Sequence, residues 1–166
     1  MSILYLVLAL VAIQRLVELW IADRHTRALL ARGATEFAAW QHPLFVALHA
    51  AWLVSIAWFV PPDSSPNWLL LGLLALLQGL RIWIIRTLGP YWTTRIISLP
   101  GAPIVRSGPY RFIRHPNYLV VAGEIAVLPL AFGATALAAA FTALNAILVF
   151  VRIRAEEAAL SGRYSQ

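Results

Sequence analysis

The chain has 166 residues, of which 61% are hydrophobic and only 12% charged, and its mean hydropathy is +0.76. A soluble domain carries about a quarter charged residues, a chain this short cannot enclose so much apolar surface, and disordered chains are poor in the aliphatics and aromatics that abound here. An integral membrane protein remains, and the net charge of +6, with thirteen arginines, no lysine and seven acids, has to be read along the chain.

A helix crosses a bilayer core with about 20 residues. Apolar stretches reach or approach that length at 3–22, 43–60, 68–88, 118–132 and 134–151. The fold class expected is therefore all-α integral membrane, with five transmembrane helices forming one domain over 1–166. The first stretch is apolar from Ile3, with no basic leader and no A-x-A site, and reads as a retained helix rather than a signal peptide. The fourth is short and meets the fifth at Gly133, which predicts a tight hairpin. Arg24, Arg27 and Arg32 follow the first stretch, and Arg95, Arg106, Arg111 and Arg114 gather between the third and fourth, with Arg86 just inside the third. Arg152, Arg154 and Arg163 follow the fifth, while 61–67 and the Gly133 turn hold none. The positive-inside rule then puts the N-terminus outside and the C-terminus in the cytoplasm. Orientation thus accounts for a pI near 10.8 without a nucleic-acid partner. There is no cysteine for thiolate chemistry or disulfides, and His25, His42, His49 and His115 lack metal-binding spacing, so no metal is expected.

Ionisable groups inside a membrane are costly and mark cavities or partners. Arg15, Glu18, His49, Arg81 and Glu124 are such groups, joined by Gln14, Gln78 and Asn145, and most stand near the arginine-rich ends of their spans. Gln14, Arg15 and Glu18 share one helical face. Each side chain taken singly fits a local Arg15–Glu18 pair and an Arg81 that snorkels to the interface. Their one-sided clustering argues for a polar cavity open to the cytoplasm.

Residues 89–118, GPYWTTRIISLPGAPIVRSGPYRFIRHPNY, form the longest connection and are too rich in aromatics for a disordered linker. Pro116 suits the first turn of the next helix. Arg114 and His115 then lie at its N-terminal end, where free N–H groups favour an anion, with Tyr110, Arg111 and Tyr118 adding donors and ring faces. An aromatic and basic interfacial belt would look the same. In VRIRAEEAAL, Asn145, Arg152 and Glu156 fall on one stripe, with Arg154 and Glu157 beside it.

GPYRFIRHPNY, a membrane hairpin and R-x-x-x-E-E-x-x-L (Arg152, Glu156, Glu157, Leu160) together resemble the isoprenylcysteine carboxyl methyltransferase family. With IQRLVEL in the first span and LPGAPIVRSGPYRFIRHPNY, the chain looks closest to small bacterial members. Those O-methylate alkylpyrones or alkylresorcinols made by type III polyketide synthases. The resemblance implies a five-helix core with a cytoplasmic cofactor segment between helices three and four. It also implies S-adenosylmethionine as donor, S-adenosylhomocysteine as product, and a lipophilic acceptor entering from the bilayer. The bacterial inner membrane is the location expected. By motif position, Tyr110, Arg114, His115, Pro116 and Tyr118 match the cofactor motif, and Glu157 matches a carboxylate closing that pocket. Arg152 and Glu156 match the pair at the reacting centre. Val120 stands where the family often has glycine, and Gly123 follows it.

Arg111 completes the expected cofactor set; Asn145, Trp92 and Arg81 are the expected acceptor-side residues, and Glu124 a third catalytic one, paired with Arg152 or Arg81. Transfer from a sulfonium is an in-line displacement that alignment accelerates. Arg152 would position an ionised oxygen with Glu156 holding Arg152, while a phenol would call for Glu156 or His115 as base. An NADPH-dependent membrane reductase, which shares an RHPxY-like segment, and a non-enzymatic scaffold are the alternatives.

Overall fold

The computed structural model describes residues 2–103 and 105–164, the last five by backbone alone. Five helices carry the chain: α1 (Ile3–Ala31), α2 (Gln41–Phe59), α3 (Trp68–Leu88), α4 (Pro116–Ala131) and α5 (Thr135–Tyr164). Four of them, α1, α2, α3 and α5, are long and apolar enough to cross a membrane. The other, α4, has 16 residues, or about 24 Å at 1.5 Å per residue, and falls below the usual spanning length. Large side chains point outward along the bundle, with Leu69 82% and Trp58 81% exposed, as lipid-facing residues should be.

Local chemistry sets the ends. The Ser2 hydroxyl accepts from the Tyr5 amide at 3.3 Å and starts α1. The Asn67 side chain accepts from the Leu69 and Leu70 amides at 3.1 and 3.2 Å and starts α3. Pro116 opens α4 as the sequence predicts. The hairpin between α4 and α5 turns through Gly133 at φ +76°, and the Asn67 amide donates to the Ala131 carbonyl at 2.7 Å. That bond closes the arginine-free end of the bundle.

Two helices overrun the apolar stretches that announce them. Residues 23–31, expected as part of a connection, continue α1; the helix stops where Gly33, at φ +88°, lets the Gly33 and Ala34 amides return to the Leu30 and Leu29 carbonyls. Likewise α5 continues past Val151 to Tyr164. Each is about 45 Å long, well beyond a hydrocarbon core of about 30 Å, and the excess stands at the arginine-rich end.

At that end the helical body carries an addition that no periodicity announces. Strands β1 (Thr35–Phe37) and β2 (Ile96–Ser98) pair antiparallel, Thr35 opposite Ser98 and Phe37 opposite Ile96. The connection after α3 is thereby pinned to the connection after α1. Arg95 reinforces the pairing with a 3.1 Å contact to Glu36, and His25 Nδ1 on α1 donates to the Trp92 carbonyl at 2.8 Å.

The core near the arginine-free end is apolar, built on Leu4, Leu8, Trp52, Ile56, Ile125 and Leu128. In the helix pairing of α3 with α4, Gly123 lies so close to Leu77 that a Cβ would come within 3.0 Å of its Cδ1. Gly108 is tighter. Its φ is +55°, and a Cβ would stand 2.6 Å from Thr87 Oγ1. Gly108→Ala is therefore expected to cost about 2 kcal/mol from backbone strain and overpacking. Thermal unfolding in detergent checks this, and an unchanged Tm would show that the turn adapts without loss.

Candidate active site

Midway along the bundle, α1, α3 and α4 meet through charges. Glu124 on α4 accepts from Arg81 Nε at 3.0 Å and from Gln78 Nε2 at 2.8 Å, while its second oxygen is held by Arg81 Nη2 and Arg15 Nη2. Glu18 accepts from Arg15 Nη1 at 2.8 Å, Arg81 Nη1 at 3.1 Å and Gln14 Nε2 at 2.8 Å. Two guanidiniums face two carboxylates, so the cluster is formally neutral, which is what an apolar surrounding demands of buried charge. Arg81 is 2% exposed and does not snorkel. The local Arg15–Glu18 pair exists, but as one edge of a network linking three helices.

A cavity of about 430 Å³ lies between this network and the arginine-rich end. Arg15, Glu18 and Arg81 reach its deep side. The segment 91–97 covers it, and Tyr110, Arg114, His115, Asn117 and Tyr118 line it from the α4 side. Arg152 and Glu156 enter from α5.

Arg152 is held on four sides. Its Nε donates to the Tyr118 hydroxyl at 2.9 Å, and its Nη2 donates to the Thr94 carbonyl at 2.8 Å. Its guanidinium lies over the Phe45 ring, 5.3 Å from the centroid, and over Tyr118 at 6.0 Å. The Tyr118 hydroxyl donates in turn to Glu156 Oε2 at 2.5 Å. Glu156 therefore holds Arg152 through the tyrosine rather than directly. His115 stacks on Tyr118 at 5.5 Å, with its Nδ1 3.9 Å from Glu156. Thr94 is itself fixed by His42, whose Nε2 is 3.1 Å from Thr94 Oγ1. Burial first, and the Glu156 charge second, raise the Tyr110 pKa, so this phenol keeps its proton and remains a donor in the wall.

The structure brings Tyr110, Arg114, His115, Tyr118, Arg152 and Glu156 to one cavity, together with Trp92 and Arg81. Other expected residues stand elsewhere. Glu124 belongs to the ion network behind the wall, bound to Arg81 and Arg15 and not to Arg152, so a direct catalytic part does not fit its position. Glu157 is exposed and outside the lining, because the residue after Glu156 is turned about 100° around the helix. Arg111 is exposed too, its guanidinium over Phe112. Pro116 is buried as a helix starter, and Asn145 is buried on α5; neither lines the cavity. Leu160, at the end of the second motif, lies outside the described side chains. The sequence gives no sign of the Thr94 carbonyl or of Phe45. A backbone acceptor has no residue signature, and an aromatic in an apolar helix looks like core.

A lipid-facing helical bundle with buried charge, and with a cavity at its basic end lined by charged, aromatic and aliphatic side chains, defines an integral membrane protein. The pattern of the isoprenylcysteine carboxyl methyltransferase (ICMT) family matches residues 70–162, and the chain belongs to that family of membrane methyltransferases. An uncharacterized protein of Bacillus subtilis, YpbQ, is 36% identical over 160 residues, spanning 94% of this chain and 95% of its own. An uncharacterized protein of Haemophilus influenzae is 28% identical over 152 residues, 89% of this chain and 88% of its own. No solved structure matches the chain.

Removing one partner from a buried ion pair leaves the other charge uncompensated, at about 3–5 kcal/mol. Glu124→Gln, which strips the charge shared by Arg15 and Arg81, is expected to lower stability by that order. Detergent thermal melts measure it, and a wild-type Tm would mean that the network contributes nothing to folding.

Proposed function

We propose that the chain is an S-adenosylmethionine-dependent O-methyltransferase acting on a lipophilic acceptor, with its arginine-rich end in the cytoplasm of a bacterium. The observation that carries this is Arg152, immobilised by Tyr118, the Thr94 carbonyl and Phe45 at the meeting of a polar segment with an apolar bundle.

The donor set fits such a cofactor. Family members generally use S-adenosylmethionine. Arg114, His115 and the first amides of α4 suit a carboxylate, the rings of Tyr110 and Trp92 suit a flat base, and Glu156 suits a cation. Trp92 Nε1 and Asn117 Oδ1 are buried without partners although both residues line the cavity, and a bound polar molecule would satisfy them. The volume of about 430 Å³ falls in the range of small-molecule sites, about 300–1,000 Å³.

When bound, the cofactor supplies an electrophilic methyl group on sulfur. The rest falls to the chain. Arg152 holds the acceptor oxygen and favours its ionised form, and its grip leaves it few other positions, so the oxygen is aligned before transfer. Tyr118 relays the Glu156 charge to Arg152 and prevents a direct Arg152–Glu156 pair from closing over the site. A carboxylate or acidic enol needs no base; for a phenol, Glu156 or His115 would take the proton, both of which line the cavity. The alkylpyrones and alkylresorcinols of type III polyketide synthases are acceptors of suitable kind.

S-adenosylhomocysteine is expected to raise the Tm of the detergent-purified protein and NADP is not; stabilisation by NADP alone would replace this reading with that of a reductase. Arg152→Ala should lower methyl transfer to an alkyl acceptor by about 10²–10³-fold while keeping the S-adenosylhomocysteine response. Full turnover in that variant would remove Arg152 from the reacting centre.

A further inference from the structure

Residues 64–123 contain no aspartate or glutamate, yet they carry six arginines. Three of these are accounted for: Arg81 is bound to Glu18 and Glu124, Arg95 pairs with Glu36, and Arg114 lines the cavity. Arg86, Arg106 and Arg111 are exposed and have no carboxylate partner among the described residues. A close contact brings them to one side of the molecule. The turn Gly108–Arg111 packs on α3 through Gly108, where a Cβ would stand 2.6 Å from Thr87 Oγ1 and 3.3 Å from Trp83 Nε1. Arg86 follows Trp83 by three residues on the same side of α3. Arg106 comes two residues before the turn and Arg111 ends it, its guanidinium 4.7 Å from the Phe112 ring. Apolar surface accompanies the charge: Trp83 and Ile113 are about half exposed and Phe112 is 70% exposed.

The other exposed arginines of this end are built differently. Arg24 lies over Trp20, Arg32 over Tyr91 and Arg154 over Phe150, each a single cation on its own ring. Orientation in the membrane asks only for positive charge at this end. It does not ask that three unpaired guanidiniums converge from two segments around exposed apolar side chains. We propose that this patch binds an anionic phospholipid, with Arg86, Arg106 and Arg111 taking the headgroup phosphate and Trp83, Phe112 and Ile113 the adjoining acyl chain. Charge selects the kind of lipid, because a zwitterionic headgroup balances its phosphate with its own ammonium and leaves the guanidiniums uncompensated. The apolar side chains select a lipid over a dissolved phosphate, which would leave them uncovered. None of the six residues lines the cavity, so the site is separate from the methyl-transfer site and does not rest on that reading. Tyr110, in the same turn, does line the cavity, so a lipid on the outer face steadies a turn that walls the inner one.

Native mass spectrometry of the detergent-purified full chain resolves the first lipid bound. Dioleoylphosphatidylglycerol is expected to bind about tenfold more tightly than dioleoylphosphatidylcholine, a selectivity that three guanidiniums can supply even when screened. The combined variant Arg86→Gln, Arg106→Gln, Arg111→Gln should bind both lipids alike. Arg106→Gln or Arg111→Gln alone, which serves if the combined variant fails to fold, should lose part of the selectivity. Arg24→Gln, Arg32→Gln and Arg154→Gln together should keep all of it, and sn-glycerol 1-phosphate should not bind. Equal binding of the two lipids by the wild type, binding of neither, or a selectivity that survives loss of the three arginines would overturn the proposal. An equal loss in the Arg24, Arg32 and Arg154 variant would replace the site with diffuse surface charge, and binding of glycerol phosphate as tight as that of the lipid would replace the lipid with a soluble anion.

Discussion

A carboxylate in the middle of an apolar bundle is tolerable only with its counter-charge in place, and Glu124 has two. Arg15 and Arg81 come from different helices, so satisfying one oxygen pair fixes α1 and α3 against α4. The constraint travels. Tyr118 stands six residues before Glu124 on α4, about 9 Å along its axis, and Tyr118 in turn sets the Arg152 guanidinium. Where the charges balance thus decides where the arginine of the site points, although no atom of Glu124 reaches the cavity. Association among membrane helices lacks the hydrophobic drive that water supplies, which makes such a polar anchor more decisive here than in a soluble core.

The second anchor is at the surface of the same end. Segment 92–98 is tied by His25 to α1, by β1 to the connection after α1, and by His42 to the start of α2. Its Thr94 carbonyl is thereby a fixed acceptor rather than a loop atom, and Arg152 uses it. One side of the guanidinium is set by α4 and the other by this cover.

Much of this was legible. The start of α4 follows from Pro116, whose fixed φ and missing N–H suit a first helical turn. The clustering of polar groups at one end follows from the price of charge in lipid. What hydropathy could not give was the length of α1 and α5, because Asp23, Arg24 and Arg27 change the solvent a helix prefers without ending it. Three-residue strands are too short for a period. Of the two partners expected for Glu124, Arg81 is bound to it and Arg152 is not; Arg15, 109 residues away, was out of reach because its pairing depends on which faces meet. Glu156 and Glu157 are adjacent in the motif, yet one helical step sends the first to the cavity and the second to the surface.

The matched family pattern begins at residue 70, after α1 and α2 have ended. Those two helices nevertheless line the cavity, and Phe45 and His42 of α2 support Arg152 and Thr94 from that side. The site is therefore completed across the boundary of that pattern, by residues on both sides of position 70. A substitution at Phe45 or His42, outside the matched pattern, reaches the Arg152 guanidinium directly or through Thr94. The shape of the pocket and the posture of its arginine are thus set together by the first two helices and the last two, so neither half of the chain alone makes the site.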